Sequence, residues 1–168
     1  MQPRRIARMA GGLFKPRNPI LGADVAGRIE AVGRSVRRFK PGDDVFGDIT
    51  FLGAGGFAEY TAAREALLAL KPAGLSFERA AAVPMAAVTA LQGLRDKGRI
   101  RPGQKVLIHG ASGGVGTFAI QLAKTFGAEV TAVCGPGSPE LARSLGADRV
   151  LDYTREDFAK NGQRYDLI

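Results

Sequence analysis

The stretch of this sequence best suited to binding chemistry is Gly110-Ala-Ser-Gly-Gly-Val-Gly116. Glycines let a backbone approach an anion without Cβ contacts. A helix that opens at such a turn adds free N–H groups and a partial positive charge. The turn follows Lys105-Val-Leu-Ile-His109, which reads as a buried strand, and precedes Thr117–Phe126, which reads as a helix. In that setting the turn is expected to hold the diphosphate of a dinucleotide. Gly113 is the candidate for close approach, and Gly116 for packing of helix on strand. A dinucleotide fingerprint would begin with Gly where this chain has Ala111, so the match is inexact; Gly110 and Ser112 are the candidates to compensate. A tight turn with no ligand is the bland alternative.

The next strand, Glu129-Val-Thr-Ala-Val-Cys134, decides which dinucleotide is favoured. An NAD site usually ends this strand with Asp or Glu, to hold the ribose hydroxyls. Here Gly135-Pro-Gly-Ser-Pro139 follows without an acid, and Glu129 is at the wrong end. A 2′-phosphate would meet no repulsion, so NADPH is preferred by exclusion. Ser138 can donate a hydrogen bond to it, and so can Tyr153 if the third strand ends beside the second.

His109 and Cys134 are the only histidine and cysteine. They cannot form a disulfide or supply the usual ligand sets of zinc, so no metal site is expected. His109 at a strand end reads as packed or solvated, and Cys134 as a small hydrophobe. Neither is given a catalytic role, and the catalytic residues stay unknown.

The elements that must position the turn divide near residue 75. Before it, short runs read as strands: Asp24–Gly33, Asp44–Ile49, Phe57–Thr61 and Ala66–Leu70, with a turn at Lys40-Pro-Gly-Asp43. They suggest a small β domain whose aromatics Phe46, Phe51, Phe57 and Tyr60 are mostly core. After it, Ser76 is a good N-cap for a helix over 77–82. Pro84 opens another, with apolar positions 85, 88, 91 and 94 and Gly98 as C-cap. Beyond the phosphate turn come a helix over Glu140–Leu145, a strand over Arg149–Leu151, a helical turn over Asp157–Lys160 and the start of a fourth strand at Tyr165. Alternating strands and helices imply a parallel sheet covered by helices. Its last strand has no following helix to cover it, so the domain is expected to be incomplete.

The chain has 168 residues, 45% hydrophobic and 24% charged, with a net charge of +8. No apolar run is long enough for a membrane span. The first 23 residues carry Arg4, Arg5, Arg8, Lys15 and Arg17 and no acid. Pro16, Pro19 and Gly11-Gly12 interrupt any amphipathic helix there, which favours a plain surface segment over a mitochondrial presequence. No aromatic interleaves with those arginines, so nucleic acid is not an expected partner. A small-molecule substrate is the expected partner, with no membrane and with a homodimer allowed for the full-length protein. The expected location is cytoplasmic, with mitochondrial as the alternative.

In order, Leu21-Gly-Ala-Asp-Val-Ala-Gly27, Glu30-Ala-Val-Gly33, Lys40-Pro-Gly-Asp43, Gly55-Gly-Phe-Ala-Glu-Tyr60, Ala80-Ala-Ala-Val-Pro-Met85, Thr89-Ala-Leu91, Gly110–Gly116, Leu145-Gly-Ala-Asp148 and Asp152-Tyr153 resemble medium-chain dehydrogenase/reductases. Within these, the resemblance is to quinone oxidoreductases and enoyl reductases. It implies an α/β fold: an incomplete Rossmann-type parallel sheet over residues 76–168, preceded by part of a GroES-like β domain over 1–75. It implies hydride transfer from NADPH to a quinone or to the β-carbon of an α,β-unsaturated carbonyl. It carries the pyrophosphate role onto Ser112, Gly113, Gly114 and Val115, beside Gly116. Thr89 matches a threonine near the nicotinamide or phosphates, and Tyr153 a tyrosine on the 2′-phosphate. The zinc-dependent branch has Gly-His-Glu where this chain reads Gly22-Ala23-Asp24. A catalytically silent dinucleotide-binding protein on the same fold is the alternative. Expressed alone, residues 1–168 are expected to be inactive and poorly folded. A fusion of a fluorescent protein to the chain should keep its cytoplasmic distribution when residues 1–20 are deleted; a shift out of mitochondria would establish the presequence.

Overall fold

The computed structural model describes residues 20–50 and 55–168. The five basic residues between Arg4 and Arg17, and Phe51, lie outside the described residues. The chain divides into two compact units between Met85 and Ala86.

The first unit holds an antiparallel sheet of β1 (Asp24–Arg28), β2 (Asp44–Asp48) and β3 (Leu68–Leu70), in that spatial order. The turn before β2 is fixed by its own acid: Asp43 Oδ2 accepts the Lys40 N–H at 2.9 Å, and Gly42 takes φ +92°. The pairing passes the end of β1, with Ile29 N–H on Asp43 O at 2.9 Å and Gly42 N–H on Ile29 O at 2.8 Å. Gly47 must be bare, since a Cβ there would stand 2.1 Å from the Leu67 carbonyl oxygen. Ser76 Oγ accepts the Arg79 N–H at 3.3 Å and caps α1 (Phe77–Ala81), as its residue type implies.

Two expectations for this unit fail. Residues 57–59 form bends, and 60 and 61 belong to no strand. The Gly22 carbonyl accepts from both Gly55 and Gly56, at 3.0 and 2.9 Å, so the alternation of a ladder is broken where the run would begin. Phe57 and Tyr60 are accordingly 79% and 74% exposed, not core. The run at Ala66–Leu70 divides into a 3₁₀ turn over Glu65–Leu67 and the short β3.

Helix α2 (Pro84–Leu91) crosses the boundary and continues as a π-helical turn over Gln92–Lys97. Gly98 closes it in ordinary helical backbone. Its bare Cα is required by space, because a Cβ would stand 2.7 and 2.9 Å from the two methyls of Leu167. The second unit then runs β4 (Lys105–His109), α3 (Gly114–Thr125), β5 (Glu129–Cys134), α4 (Pro139–Ser144) and β6 (Arg149–Asp152). Strands β4, β5 and β6 pair in parallel in that order. Alternate strand residues face opposite sides. Val106, Ile108, Val130, Ala132 and Cys134 pack with Ala119, Ile120 and Ala123 of α3. Leu107, Val133 and Leu151 pack on the other face with Phe158 and Tyr165. The buried residues of α3, Gly116, Ala119, Ile120 and Ala123, recur at helical spacing and make its inner stripe.

The fourth strand expected at Tyr165 reduces to one parallel bridge, Val106 with Leu167. Leu107 N–H reaches Leu167 O at 2.9 Å, on the side of β4 opposite β5. The chain thus departs from β4 in both directions, and β4 is a topological switch point.

Lys124 of α3 donates to both Asp148 oxygens at 2.8 and 2.7 Å, and Val130 N–H donates to Asp148 Oδ2 at 2.6 Å. Burial raises the Asp148 pKa, but the Lys124 ammonium and the Val130 amide outweigh it and hold the carboxyl below its ordinary value. A depressed native value means that its stabilisation is present above the ordinary carboxylate range and lost as pH falls through the native value. Asp148→Asn should cost about 1 kcal/mol at neutral pH, modest because the pair is part-exposed. Melts taken as a function of pH should show a shallower acid limb in the variant; an acid limb as steep as the wild type's contradicts the assignment.

Candidate functional site

The carboxyl end of β4 leads directly into the glycine turn. Gly110 takes φ +73°, a left-handed conformation that suits glycine. Ala111 is buried, and its N–H reaches Val133 O of β5 at 3.0 Å. This is what Ala does in place of a first fingerprint glycine: it continues the sheet pairing by one bond and fills core. Gly113 N–H donates back to Gly110 O at 3.0 Å and closes the turn.

Helix α3 then begins at Gly114, three residues before Thr117, so half the glycine turn is already helix. Its N-cap, Gly113, offers no side chain, and Thr117 N–H on Gly113 O at 2.9 Å makes the first helical bond. The N–H groups of Gly114, Val115 and Gly116 precede any intrahelical acceptor. Ser112 through Val115 are exposed.

The glycines divide by function. A Cβ on Gly116 would lie 2.3 Å from Gly110 O and 2.7 Å from the Cα of Ala111, so the helix can leave the strand only here and only with glycine. A Cβ on Gly113 would meet Gly110 O at 3.4 Å, and one on Gly114 only the Ala86 Cβ at 3.9 Å. Packing does not demand those two, and their bareness leaves room at the helix mouth. An uncapped twelve-residue helix with open space at its first turn fits a diphosphate.

The other candidates gather in two places flanking this mouth. Thr89 joins Val115, His109, Ala119, Leu167 and Ile168 around a mostly apolar cavity of about 370 Å³. His109 packs on Phe158 with the rings tilted at 58° and their centres 5.5 Å apart. On the other side, β5 and β6 pair so that Cys134 is opposite Asp152, and Tyr153 N–H continues onto Cys134 O at 3.2 Å. The Tyr153 hydroxyl therefore stands at the end of β5, 3.1 Å from where a Gly135 Cβ would be. Ser138, half-buried, is the N-cap of α4 but gives its hydroxyl to no capping bond. Thr89 is in the cavity group, apart from Ser138 and Tyr153. Cys134 is buried, and burial pushes its thiol pKa up, as for an inert core thiol.

Two residues of consequence escaped sequence reasoning. Asp24 Oδ1 accepts the Met85 N–H at 2.8 Å and so caps α2, the helix that carries Thr89. Asp152 Oδ1 accepts both the N–H and the hydroxyl of Thr154, at 2.9 and 2.7 Å. An Asp two places before a Thr at a strand end is the local signal for such a turn. The cap at Asp24 has no local signal, because its partner is 61 residues away.

Comparison with known proteins agrees with this architecture. The alcohol dehydrogenase GroES-like domain matches residues 3–73, and the zinc-binding dehydrogenase family matches residues 114–165. A 2-methylene-furan-3-one reductase of Solanum lycopersicum is 45% identical over 169 residues, covering 94% of this chain and 43% of that protein. A chloroplast envelope quinone oxidoreductase homolog of Arabidopsis thaliana is 41% identical over 171 residues, covering 94% of this chain and 52% of that protein. The solved quinone oxidoreductase of Coxiella burnetii superposes with a TM-score of 0.79 at 36% identity, over 85% of this chain and 45% of that one. The chain spans about half the length of the curated relatives it matches.

Gly116→Ala should destabilise the second unit by roughly 1–3 kcal/mol, the usual range for overpacking against fixed backbone. Gly114→Ala, whose Cβ finds room, should be close to neutral. Thermal melts of the two variants check this; equal losses would contradict the division between a packing and an open glycine.

Proposed function

The chain belongs to the medium-chain dehydrogenase/reductase family, and on that premise we propose that it is the cofactor-holding part of an NADPH-dependent oxidoreductase acting on quinones or α,β-unsaturated carbonyls. The first unit belongs to its substrate-facing domain and the second to its dinucleotide domain, the division falling at Met85 rather than near residue 75 because α1 packs with β1 and β2. The observation that carries the reading is the uncapped first turn of α3 at the β4 switch point. Open α/β sheets bind ligands at that place, outside the carboxyl ends of their strands.

Each residue has a separate task. The amides of Gly114, Val115 and Gly116 and the Ser112 hydroxyl bind the diphosphate, in the partial positive field of the helix. Ser138 and Tyr153 donate to the 2′-phosphate, where Gly135 presents no competing carboxylate. The cavity beside Thr89 and Val115 is mostly apolar and suits a flat ring. When bound, NADPH supplies the hydride that the acceptor receives. The protein's contribution is to fix where that exchange takes place.

Zinc has no part in this proposal, although one matching family is named for it. Asp24, in the segment where the zinc-dependent branch has Gly-His-Glu, is engaged on the Met85 amide. His109 packs on Phe158, and Cys134 is in the core. These are the sole His and Cys of the sequence.

Titration calorimetry should give a lower Kd for NADPH than for NADH; equal affinities contradict the assignment of the 2′-phosphate. Val115→Asp separates binding from folding by sign. An acid in the first turn of a helix stabilises it by roughly 0.3–1 kcal/mol, yet here it would repel the diphosphate. The variant should melt no lower than wild type while binding NADPH at least about tenfold more weakly. Undiminished binding would remove the diphosphate from this helix.

A further inference from the structure

Tyr153 is 59% exposed, and its hydroxyl makes no hydrogen bond among the described residues. An exposed phenol would ordinarily sample several directions, and ordering it on binding weakens affinity. Its backbone, however, is fixed on both sides. The preceding peptide is tied by Tyr153 N–H on Cys134 O at 3.2 Å. The following one is tied by Thr154 N–H on Asp152 Oδ1 at 2.9 Å, reinforced by the Thr154 hydroxyl on the same oxygen at 2.7 Å. The Asp152 carbonyl adds bonds from the Arg155 and Glu156 amides, each at 3.0 Å. Hydrogen bonds from the Thr154 amide and hydroxyl hold the Asp152 carboxyl below its ordinary pKa, so it remains an acceptor at neutral pH.

The direction so fixed sets the phenol against Gly135. A Cβ on Gly135 would stand 3.1 Å from the hydroxyl oxygen and 3.5 Å from two ring carbons. Any side chain at 135 would crowd the ring, and an acid there would also repel an anion. The bare Gly135 and the held Tyr153 form one device.

We propose that Asp152 is a positioning residue for 2′-phosphate recognition: by holding Thr154 it aims the Tyr153 hydroxyl over Gly135, at the end of β5. This rests on the reading of Tyr153 given above. Asp152 touches no ligand itself, and its effect is confined to cofactors that carry the phosphate.

The test is calorimetric titration of the full chain with NADPH, NADH, adenosine 2′,5′-bisphosphate and AMP. Wild type should favour the 2′-phosphorylated member of each pair. Tyr153→Phe should lose roughly tenfold in affinity for that member, the size of one hydrogen bond to a charged group. Asp152→Ala should lose a comparable factor for NADPH and the bisphosphate while holding NADH and AMP within about twofold. Asp152→Asn, which keeps an acceptor for Thr154, should recover most of the loss. The Asp152→Ala, Tyr153→Phe double variant should bind no worse than Tyr153→Phe alone. Equal loss for phosphorylated and unphosphorylated ligands, or no loss, overturns the role of Asp152. Should Asp152→Ala not fold, Thr154→Val is read in its place: a partial loss restricted to the phosphorylated ligands supports the proposal, and an unchanged ratio overturns it. A wild type without preference, or a Tyr153→Phe variant that keeps it, overturns the reading of Tyr153 itself and the proposal with it.

Discussion

The second unit depends on one close approach: the Gly110 carbonyl oxygen occupies the space that a Cβ at residue 116 would need. With glycine there, helix α3 can start almost on top of the strand it leaves. Its first turn then stands at the carboxyl edge of the sheet, with its amides at the mouth of the crevice. Ala111, bonded to Val133 and buried, anchors the other end of the same turn. Diphosphate binding in this account uses backbone groups that the packing has already put in place.

Around that mouth the edge of the sheet is differentiated. Toward β5 and β6 it carries hydroxyls, those of Ser138 and Tyr153, on backbone held by Cys134 and Asp152. Toward Leu167 it opens on an apolar cavity that includes Thr89. One carboxylate at this edge is engaged elsewhere: Asp152 accepts the N–H and the hydroxyl of Thr154. The edge thus offers hydroxyl groups on one side and a mostly apolar cavity on the other.

Much of this is legible in the sequence where the causes are local. The ranges of β4 and β5 follow from apolar runs bounded by turns. Ser76 predicts its own helix start, and Lys40-Pro-Gly-Asp43 its own turn. What is not legible depends on distant partners. Residues 57–61 have the composition of a strand, but Gly22, more than thirty positions earlier, takes two of their neighbours' amides on one oxygen. Gly98 has the look of a C-cap chosen for backbone freedom, whereas Leu167 sets its requirement. In the site, the order of glycines already sets Gly116 apart as the packing residue, and a Cβ there would stand 2.3 Å from Gly110 O, whereas Gly113 and Gly114 have room for one. The candidacy of Tyr153 depended on β6 ending beside β5, and the pairing of Cys134 with Asp152 meets that condition.

The most direct test is heteronuclear NMR of the amides between Ser112 and Gly116 as NADPH is added. Gly114, Val115 and Gly116 should shift farthest in the second unit, and inorganic pyrophosphate should move the same signals. Cofactor binding that leaves those amides unmoved while others respond would contradict diphosphate binding at this helix.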